Sequence, residues 1–350
     1  MNNIAKTKLI IRIIKNSGIK GFVNLFKYQY DLRFKKNKVL ANPIFLQLEP
    51  TSRCNLKCKM CEHSFKRFHK QDLSFEQFKH IINQLPFLKS LTLQGLGEPL
   101  LNLELFKMIK EAKQRDIRVG LTTNATLLNK ENARRIVDSG LDWLYISLDS
   151  VDKKIYEEIR RGANYEIVLN NIKNFIEFKG DRLPETDFWT LIMKENLAGI
   201  SKVIELADKL KIKKIILQNI HNWGHEDFSK DVNKFKCDSE KELLKLVDEI
   251  STAVNTVKVE LNSNIKENNK KKCDWPWRSL YITCDGYVTP CCMQGADSDI
   301  INFGNVFKEP INEILNNKKY QEFRNKLKNK PIPKICVGCP AYYKQKVIKL

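Results

Sequence analysis

Short apolar runs, rich in β-branched residues, alternate with amphipathic stretches through the middle of the chain. The apolar runs are Ile44–Glu49, Ser90–Gln94, Arg118–Thr123, Trp143–Asp149, Phe188–Met193 and Lys213–Asn219. The stretches between them repeat apolar residues at helical spacing: Ser74–Leu85, Leu103–Arg115, Asn129–Ser139, Lys153–Lys179 and Leu197–Leu210. Such alternation is typical of parallel strands joined by right-handed helical crossovers. Because six strand–helix units are too few for a closed eight-fold barrel, we expect an α/β fold built on a partial (βα)6 TIM-like barrel.

The alternation stops near residue 230, where the composition also changes. Residues 231–350 contain seven of the ten cysteines, a Lys/Asn-rich connector at residues 262–272 and short irregular segments. We therefore expect three parts: a basic N-terminal segment at residues 1–43, the barrel at residues 44–230, and a small α+β domain at residues 231–350.

Positive charge dominates the chain and is densest at its start. The sequence has 61 Lys+Arg against 41 Asp+Glu, a net charge of +20, and residues 1–40 alone hold ten basic residues and one acidic residue. Lysines greatly outnumber arginines, whereas surfaces that read nucleic acid favour Arg for its bidentate geometry. Since no nucleic-acid-binding motif accompanies the charge, we expect no nucleic-acid partner.

The basic N-terminal segment has the pattern of one or two amphipathic helices. Its apolar residues recur at roughly helical spacing: Leu9, Ile10, Ile13, Ile14, Phe22 and Phe26. Two interpretations stay open: a helix that caps the protein body with a solvated Lys face, or peripheral contact of residues 1–40 with the anionic inner face of a membrane. No apolar run reaches the length of about 18 residues that a membrane span needs, and no signal peptide is recognisable, so we expect a cytoplasmic protein.

Three cysteines form a C-x3-C-x2-C loop directly after the first predicted strand. They are Cys54, Cys58 and Cys61, at the strand end where parallel βα folds bind ligands. Without a secretion signal, clustered cysteines indicate a metal site rather than disulfides. Three thiolates can hold three irons of a [4Fe–4S] cluster and leave the fourth iron open. A structural zinc site would need a fourth ligand, which His63 could supply, so zinc is the alternative.

The cysteine loop and four later segments together resemble the radical S-adenosylmethionine (SAM) enzymes. Gln94–Leu100 resembles their glycine–glutamate–proline motif, which contacts the methionine amino group of SAM. Leu121–Asn124 and Ile146–Asp149 resemble segments that flank the ribose, and Ile159–Ala163 resembles a stretch that supplies an arginine to the methionine carboxylate. The resemblance covers residues 44 to 220. At Met60 the family usually has an aromatic residue, for which Met is a soft apolar substitute.

The resemblance implies an enzyme that cleaves SAM reductively and uses the resulting 5′-deoxyadenosyl radical to remove hydrogen from an unactivated C–H bond. It implies a SAM-binding [4Fe–4S] cluster on Cys54, Cys58 and Cys61, and a reductant such as flavodoxin or ferredoxin. We expect Gly95 and Gly97 to let the backbone approach SAM closely, and Glu98 and Arg160, rather than Arg161, to bind its charged groups. The implied SAM contacts are Met60, Gly97, Glu98, Thr123, Asn124, Ser147, Asp149 and Arg160.

The cysteines of the C-terminal part resemble those of twitch, the shortened relative of the SPASM domain. Cys273 and Cys291 are followed by a C-x2-C pair, Cys336 and Cys339. The resemblance implies one auxiliary [4Fe–4S] cluster on these four residues. Alternative ligands, in place of Cys291, are Cys284 and Cys292, and a zinc ribbon is the alternative metal site. Cys237 is most simply a buried or unpaired thiol.

The substrate class follows only from the resemblance. Twitch and SPASM relatives include peptide-modifying maturases and enzymes that act on sugars or aminocyclitols. Residues 1–43 are too short for a leader-recognition domain, which favours a small polar substrate, with a peptide maturase as the alternative. We expect oxidation of the substrate, or epimerisation with Cys284 or Cys292 as the thiol. Residues 218–223 could contact substrate or pack on the second domain, which Trp275–Trp277 would dock. The non-enzyme alternative is a cluster- or zinc-bearing protein that contacts nucleic acid.

Overall fold

A computed structural model describes most of the chain. The described residues are 3–65, 70–220, 235, 242, 245, 257–266, 273–292, 297–329, 331–337, 339 and 345–349, and side chains are described from residue 18 onward except at 262–266 and 345–349. Two expectations lie outside this range: the interpretation of Cys237, and that of residues 221–223, which follow the sixth strand.

The described strands form one sheet, and its central part is parallel. In spatial order the strands are β10-β7-β6-β5-β4-β3-β2-β1-β8-β9. Neighbours from β7 to β8 pair parallel, whereas β9 and β10 pair antiparallel at the two ends. The strand bounds are β1 Phe45–Leu48, β2 Ser90–Leu93, β3 Arg118–Thr123, β4 Trp143–Ser147, β5 Glu185–Ile192, β6 Lys214–Asn219, β7 Lys258–Lys266, β8 Leu280–Ile282, β9 Val288–Thr289 and β10 Gln345–Lys349.

Helices connect the parallel strands and begin at side-chain caps. Ser74 and Gln77 form a reciprocal capping box at the start of α2, and Asn129 caps α4. The helices are α1 Asn3–Phe34, α2 Phe75–Asn83, α3 Leu105–Gln114, α4 Lys130–Asp138, α5 Lys153–Ile159, α6 Tyr165–Lys179, α7 Ile200–Lys209, α8 Trp275–Arg278, α9 Ile311–Asn316 and α10 Lys318–Lys328, with short 3-10 turns at Glu62–Ser64, Pro99–Leu101, Leu197–Gly199 and Lys334–Cys336.

The predicted fold class is confirmed, with one local difference and one addition. All six predicted strands are present and parallel. The predicted Lys153–Lys179 stretch is two helices, because the chain turns at Gly162, which has a φ of 94°, and Asn164 then caps α6. The sheet also continues beyond residue 230, since β7 pairs parallel with β6. The domain boundary near residue 230 stays a prediction.

The two faces of the sheet have different environments. On one face, residues such as Leu48, Leu93 and Phe188 are fully buried against the connecting helices. On the other face, which we call the inner face, the alternate residues are half-buried. Because the carboxyl ends of parallel strands meet at one edge, the loops after β1 to β6 converge there. We call it the C-terminal edge.

Candidate active site

The loop after β1 holds the three cysteines at the C-terminal edge. The N–H groups of Leu56 and His63 donate hydrogen bonds to the sulfurs of Cys54 and Cys61. Burial raises the pKa of Cys54 to about 11 and that of Cys61 to about 12, and the neighbouring Cys58 thiol adds to both shifts. The three sulfurs are therefore close enough to influence one another, and they would lose their protons only to a bound metal.

The donor set on this loop fits an iron–sulfur cluster. It offers three thiols and backbone N–H donors to two of them, which is the environment that cluster sulfurs require. The ring of His63 is turned toward the backbone, with Nε2 2.9 Å from the carbonyl oxygen of Ser52. Within the described residues, no three His, Cys, Asp or Glu side chains come together as ligands of a single metal ion.

Glu98 connects the ends of β2 and β3 beside the cysteine loop. Its buried carboxylate accepts hydrogen bonds from the Thr123 hydroxyl at 2.7 Å and from the N–H of Asn124 at 2.8 Å. The Asn124 amide in turn donates to Asn55, inside the cysteine loop, at 3.1 Å. Burial raises the pKa of Glu98 despite these donors. Arg160 is the nearby positive charge, and a cationic ammonium group beside Glu98 would add a second.

Asp149 and Arg160 form a buried ion pair next to Cys58. Arg160 Nε lies 2.8 Å from Asp149 Oδ2, and the guanidinium also hydrogen-bonds the Cys58 thiol. Burial alone would lower the pKa of Arg160, but the attraction of Asp149 and Cys58 outweighs it and the pKa is raised. Arg161 is exposed to solvent. The preference for Arg160 over Arg161 therefore agrees with the side chain that lies inside the site.

Met60 belongs to an apolar cluster that the sequence pattern does not reveal as part of the site. Its buried members come from the cysteine loop and from the ends of α5, β5 and β6: Leu56, Cys58, Met60, Ile159, Met193 and Ile220. Such a surface suits the flat face of a nucleobase. The one sequence signal for the missed residues is that Met193 and Ile220 each directly follow a strand at the C-terminal edge.

The two glycines of the Gln94–Leu100 segment serve the protein's own packing. A Cβ at Gly95 would lie 2.3 Å from the side chain of Glu49, and a Cβ at Gly97 would lie 2.2 Å from the carbonyl oxygen of Thr51. Both positions therefore need glycine for the close packing of the chain itself. The expected close approach of these glycines to SAM stays a prediction.

Glu49 is a buried acid at this edge that the sequence analysis missed. Its carboxylate accepts hydrogen bonds from the N–H groups of Leu96 at 2.7 Å and Cys284 at 3.3 Å, and burial raises its pKa. The Cys284 thiol also hydrogen-bonds Glu49 and Ser52. Cys284 is thereby engaged with β1 and the cysteine loop.

The four cysteines expected at the auxiliary site lie close together. The pKa of Cys336 is raised by burial and then by Cys291, Cys339 and Cys273. Cys273 accepts a hydrogen bond from the N–H of Trp275 at 3.4 Å. The Cys292 thiol hydrogen-bonds the side chain of Gln47 on the inner face and also lies near Cys291 and Cys339. Of the two alternatives, Cys284 is engaged with Glu49 and Ser52, whereas Cys292 borders the auxiliary set. The donor set again fits an iron–sulfur cluster.

The inner face combines aromatic rings with an ion pair where β6 begins. Tyr145 and Trp189 meet edge to face with ring centroids 5.3 Å apart, and Asp187 lies 2.8 Å from Lys214. Burial alone would lower the pKa of Lys214, but the hydrogen bond to Asp187 and the nearby negative charges together outweigh burial, and the pKa is raised. Ser147 is half-buried at the end of β4 on this face. Gln218 and Asn219, which end β6, are buried.

Comparison with known proteins agrees with these features. Residues 48–207 match the radical SAM superfamily model, and residues 273–340 match that of an iron–sulfur cluster-binding domain, SPASM. A tungsten-containing aldehyde ferredoxin oxidoreductase cofactor-modifying protein from Pyrococcus furiosus is 25% identical over 314 residues, 84% of this chain and 86% of the relative. A probable GTP 3′,8-cyclase from Methanococcus maripaludis is 29% identical over 273 residues, 74% of this chain and 87% of the relative.

A solved structure shares the fold. Streptococcus suis SuiB bound to S-adenosylmethionine superposes with a TM-score of 0.69 at 18% identity, covering 93% of this chain and 81% of that one. The same protein has also been solved with its precursor peptide SuiA. None of the described helices is long and apolar enough to cross a bilayer.

Proposed function

We propose a substrate class for this chain, which belongs to the radical SAM superfamily and carries a SPASM domain. It is therefore an enzyme that uses S-adenosylmethionine and iron–sulfur clusters. Its substrate is a small polar molecule with several hydroxyl groups, of the sugar or cyclitol kind, bound on the inner face. The observation that carries this proposal is the juxtaposition of Tyr145 and Trp189 with the Asp187–Lys214 pair.

The chemistry of this surface suits a polyol. Aromatic rings pack against the C–H faces of a sugar ring, while a carboxylate and an ammonium exchange hydrogen bonds with its hydroxyls. Asp187 and Lys214 are half-buried, with 14% and 25% of their side chains exposed, so substrate can reach them and water screens them little. The two relatives named above also carry names that refer to a cofactor and to GTP, both small polar molecules.

The residues at the C-terminal edge would hold the cofactors. Cys54, Cys58 and Cys61 would ligate the cluster, Glu98 would accept hydrogen bonds from the SAM ammonium, and Arg160 would bind its carboxylate. When bound, the cluster and SAM supply a radical that removes a hydrogen atom from a substrate C–H bond. The apolar cluster around Met60 would exclude water from the nucleobase.

Oxidation is the outcome that the cysteine arrangement supports best. Four cysteines gather at the auxiliary site, so a cluster there would have a full set of protein ligands and would serve electron transfer. Asp187, whose pKa burial raises, would accept the hydroxyl proton that leaves when a CH–OH group becomes a carbonyl. Epimerisation is the second candidate, because the Cys292 thiol hydrogen-bonds Gln47 on the inner face and could return a hydrogen atom.

The test is release of 5′-deoxyadenosine by the anaerobically reconstituted, reduced enzyme when cell extract is added. We expect the active fraction to pass a small-pore filter and to survive protease treatment. Asp187→Asn should lower this extract-dependent release about tenfold, the effect of losing a hydrogen bond to a charged group, and leave the slow release without extract unchanged. The matched control is Asp142→Asn, which disrupts a comparable half-buried pair, Lys113–Asp142, between α3 and the residue before β4.

The alternatives predict different results. Activity in a large, protease-sensitive fraction would contradict the small-substrate proposal and favour a peptide maturase. Absence of deoxyadenosine from the wild-type enzyme under every condition would contradict the assigned cofactor site. The deuterium content of product formed in deuterium oxide separates epimerisation from oxidation. In epimerisation a thiol returns a hydrogen atom and introduces one deuterium, whereas oxidation introduces none.

A further inference from the structure

Helix α1 has two apolar faces, and the protein body covers only one of them within the described residues. Leu25 and Tyr28 are buried against Ile44, and Asp31 accepts hydrogen bonds from the N–H groups of Leu40 and Ala41 at 2.9 Å each. The helix is thereby fixed to the start of the barrel. Its opposite side consists of large apolar residues in contact with solvent: Ile19, Phe22, Val23, Phe26 and Phe34.

These exposed residues form a continuous stripe with basic neighbours. Ile19 is 83% exposed, Val23 44% and Phe26 61%. Ile19 and Val23 are four positions apart, and Val23 and Phe26 are three apart, so all three residues lie on one side of the helix. Lys20 and Lys27 are exposed beside the stripe. A helix with an apolar face flanked by lysines is the form that lies in the interface of a bilayer.

A cavity opens directly behind the stripe. It has a volume of about 760 Å³ and lies between α1, the first two strands and α8. Phe22 and Phe26 of the stripe line it together with Leu25, Phe45 and Trp275, so the walls are mostly apolar. Arg278, whose side chain is 46% exposed and lies 3.9 Å from that of Asp274, also lines it. An apolar slot with one cation suits an amphiphile with an anionic head group.

We propose that α1 lies on the surface of an anionic phospholipid bilayer and that the cavity behind it takes the hydrocarbon chain of one of those lipids. Charge favours a bilayer over a second copy of this chain, because residues 1–40 carry ten basic residues and one acidic residue and two such segments repel each other. An anionic surface attracts each of them. The proposal rests on neither the cofactors nor the substrate.

The first experiment measures docking. The reconstituted protein is sedimented with vesicles of phosphatidylcholine, with and without phosphatidylglycerol. Wild-type protein should bind the anionic vesicles, and Lys20→Glu/Lys27→Glu should weaken binding by about fivefold for each unit of charge lost. The charge-matched control is Lys153→Glu/Lys154→Glu, at two exposed lysines of α5, which should bind as wild type does.

A second pair of variants separates the apolar stripe from charge. Ile19→Asn/Phe26→Asn should reduce vesicle binding at least about tenfold. The control is Leu103→Asn/Ile300→Asn, at two apolar residues outside α1 that are 82% and 46% exposed, and it should leave vesicle binding unchanged. Failure of the wild type to bind phosphatidylglycerol vesicles would overturn the proposal, as would equal losses in the control variants. A concentration-dependent dimer that Ile19→Asn/Phe26→Asn converts to monomer would assign the stripe to a second copy instead.

The second experiment addresses the cavity with lysophosphatidylglycerol, a single-chain probe, in native mass spectrometry. The wild type should retain one molecule. Ser90→Phe, which places a ring inside the cavity lining, should retain none, whereas Lys20→Glu/Lys27→Glu should still retain one because its substitutions lie outside the cavity. Unfolding temperatures show that each variant is folded. A wild type that retains no probe, or a Ser90→Phe variant that retains it unchanged, would contradict the assignment of the cavity.

Discussion

At the scale of single residues, the buried Asp149–Arg160 pair holds much of the site together. Asp149 is fully buried and also accepts a hydrogen bond from the N–H of Leu191 at 2.9 Å. Asp149→Ala would leave the Arg160 guanidinium buried without its counter-charge. We expect the free energy of unfolding of the metal-free protein, measured with urea, to fall by about 3–5 kcal/mol.

A surface pair provides the comparison. Asp138 lies 3.7 Å from Arg134, and both side chains are more than half exposed, so Asp138→Ala should change the free energy of unfolding by less than about 1 kcal/mol. Equal effects of the two substitutions would show that Asp149 contributes no more than a surface charge. The sequence motif points to Arg160, but it cannot reveal this pairing, because contact with Asp149 depends on how α5, which lies between the two residues, brings Arg160 back to the end of β4.

At the scale of elements, the cysteine loop is shaped by the segment that follows β2. The N–H of Glu98 donates to the carbonyl oxygen of Arg53 at 2.8 Å, and Gly97 packs directly on Thr51. Gly97→Ala would force these backbones apart, at a cost of about 1–3 kcal/mol. We therefore expect SAM affinity, measured by equilibrium dialysis on the reconstituted enzyme, to fall about tenfold or more.

Gly199→Ala is the matched control for this loop. A Cβ at Gly199 would meet no atom within 4 Å, so the substitution should leave SAM affinity as it is. If Gly97→Ala also bound SAM normally, the loop would be able to shift without consequence, and the close packing on Thr51 would not matter for the site.

Elements differ in how far the sequence predicts them. The six parallel strands follow from short apolar runs between amphipathic stretches, which the local sequence pattern records directly. The break between α5 and α6 does not, because apolar residues continue at helical spacing on both sides of Gly162. The uncovered face of α1 is also hidden, since Leu25 and Phe26 are equally apolar and only packing decides which is buried. The same holds for adjacent Cys291 and Cys292, whose thiols point to different partners.

At the scale of the whole molecule, sheet topology brings two remote cysteine sets to the same strand. The cysteine loop follows the end of β1. Because β8 pairs parallel with β1 on the side away from β2, the cysteines that follow β8 also lie beside β1. Gln47 of β1 contacts Cys292, and Glu49 contacts Cys284. No local sequence pattern predicts that residues more than two hundred positions apart in the chain become neighbours.

This arrangement predicts how much iron the protein loses when a single cysteine is replaced. The anaerobically reconstituted wild type should contain about eight irons per chain, the content of two [4Fe–4S] clusters. Cys336→Ser should lower this to about four and keep reductive SAM cleavage, whereas Cys54→Ser should lower it to about four and abolish cleavage. Cys284→Ser and Cys292→Ser should retain about eight, because the thiols of these two residues are hydrogen-bonded to Glu49 and Gln47. A loss of iron in Cys292→Ser, with full content in a Cys291→Ser variant, would exchange the two residues and place a free thiol at Cys291 instead.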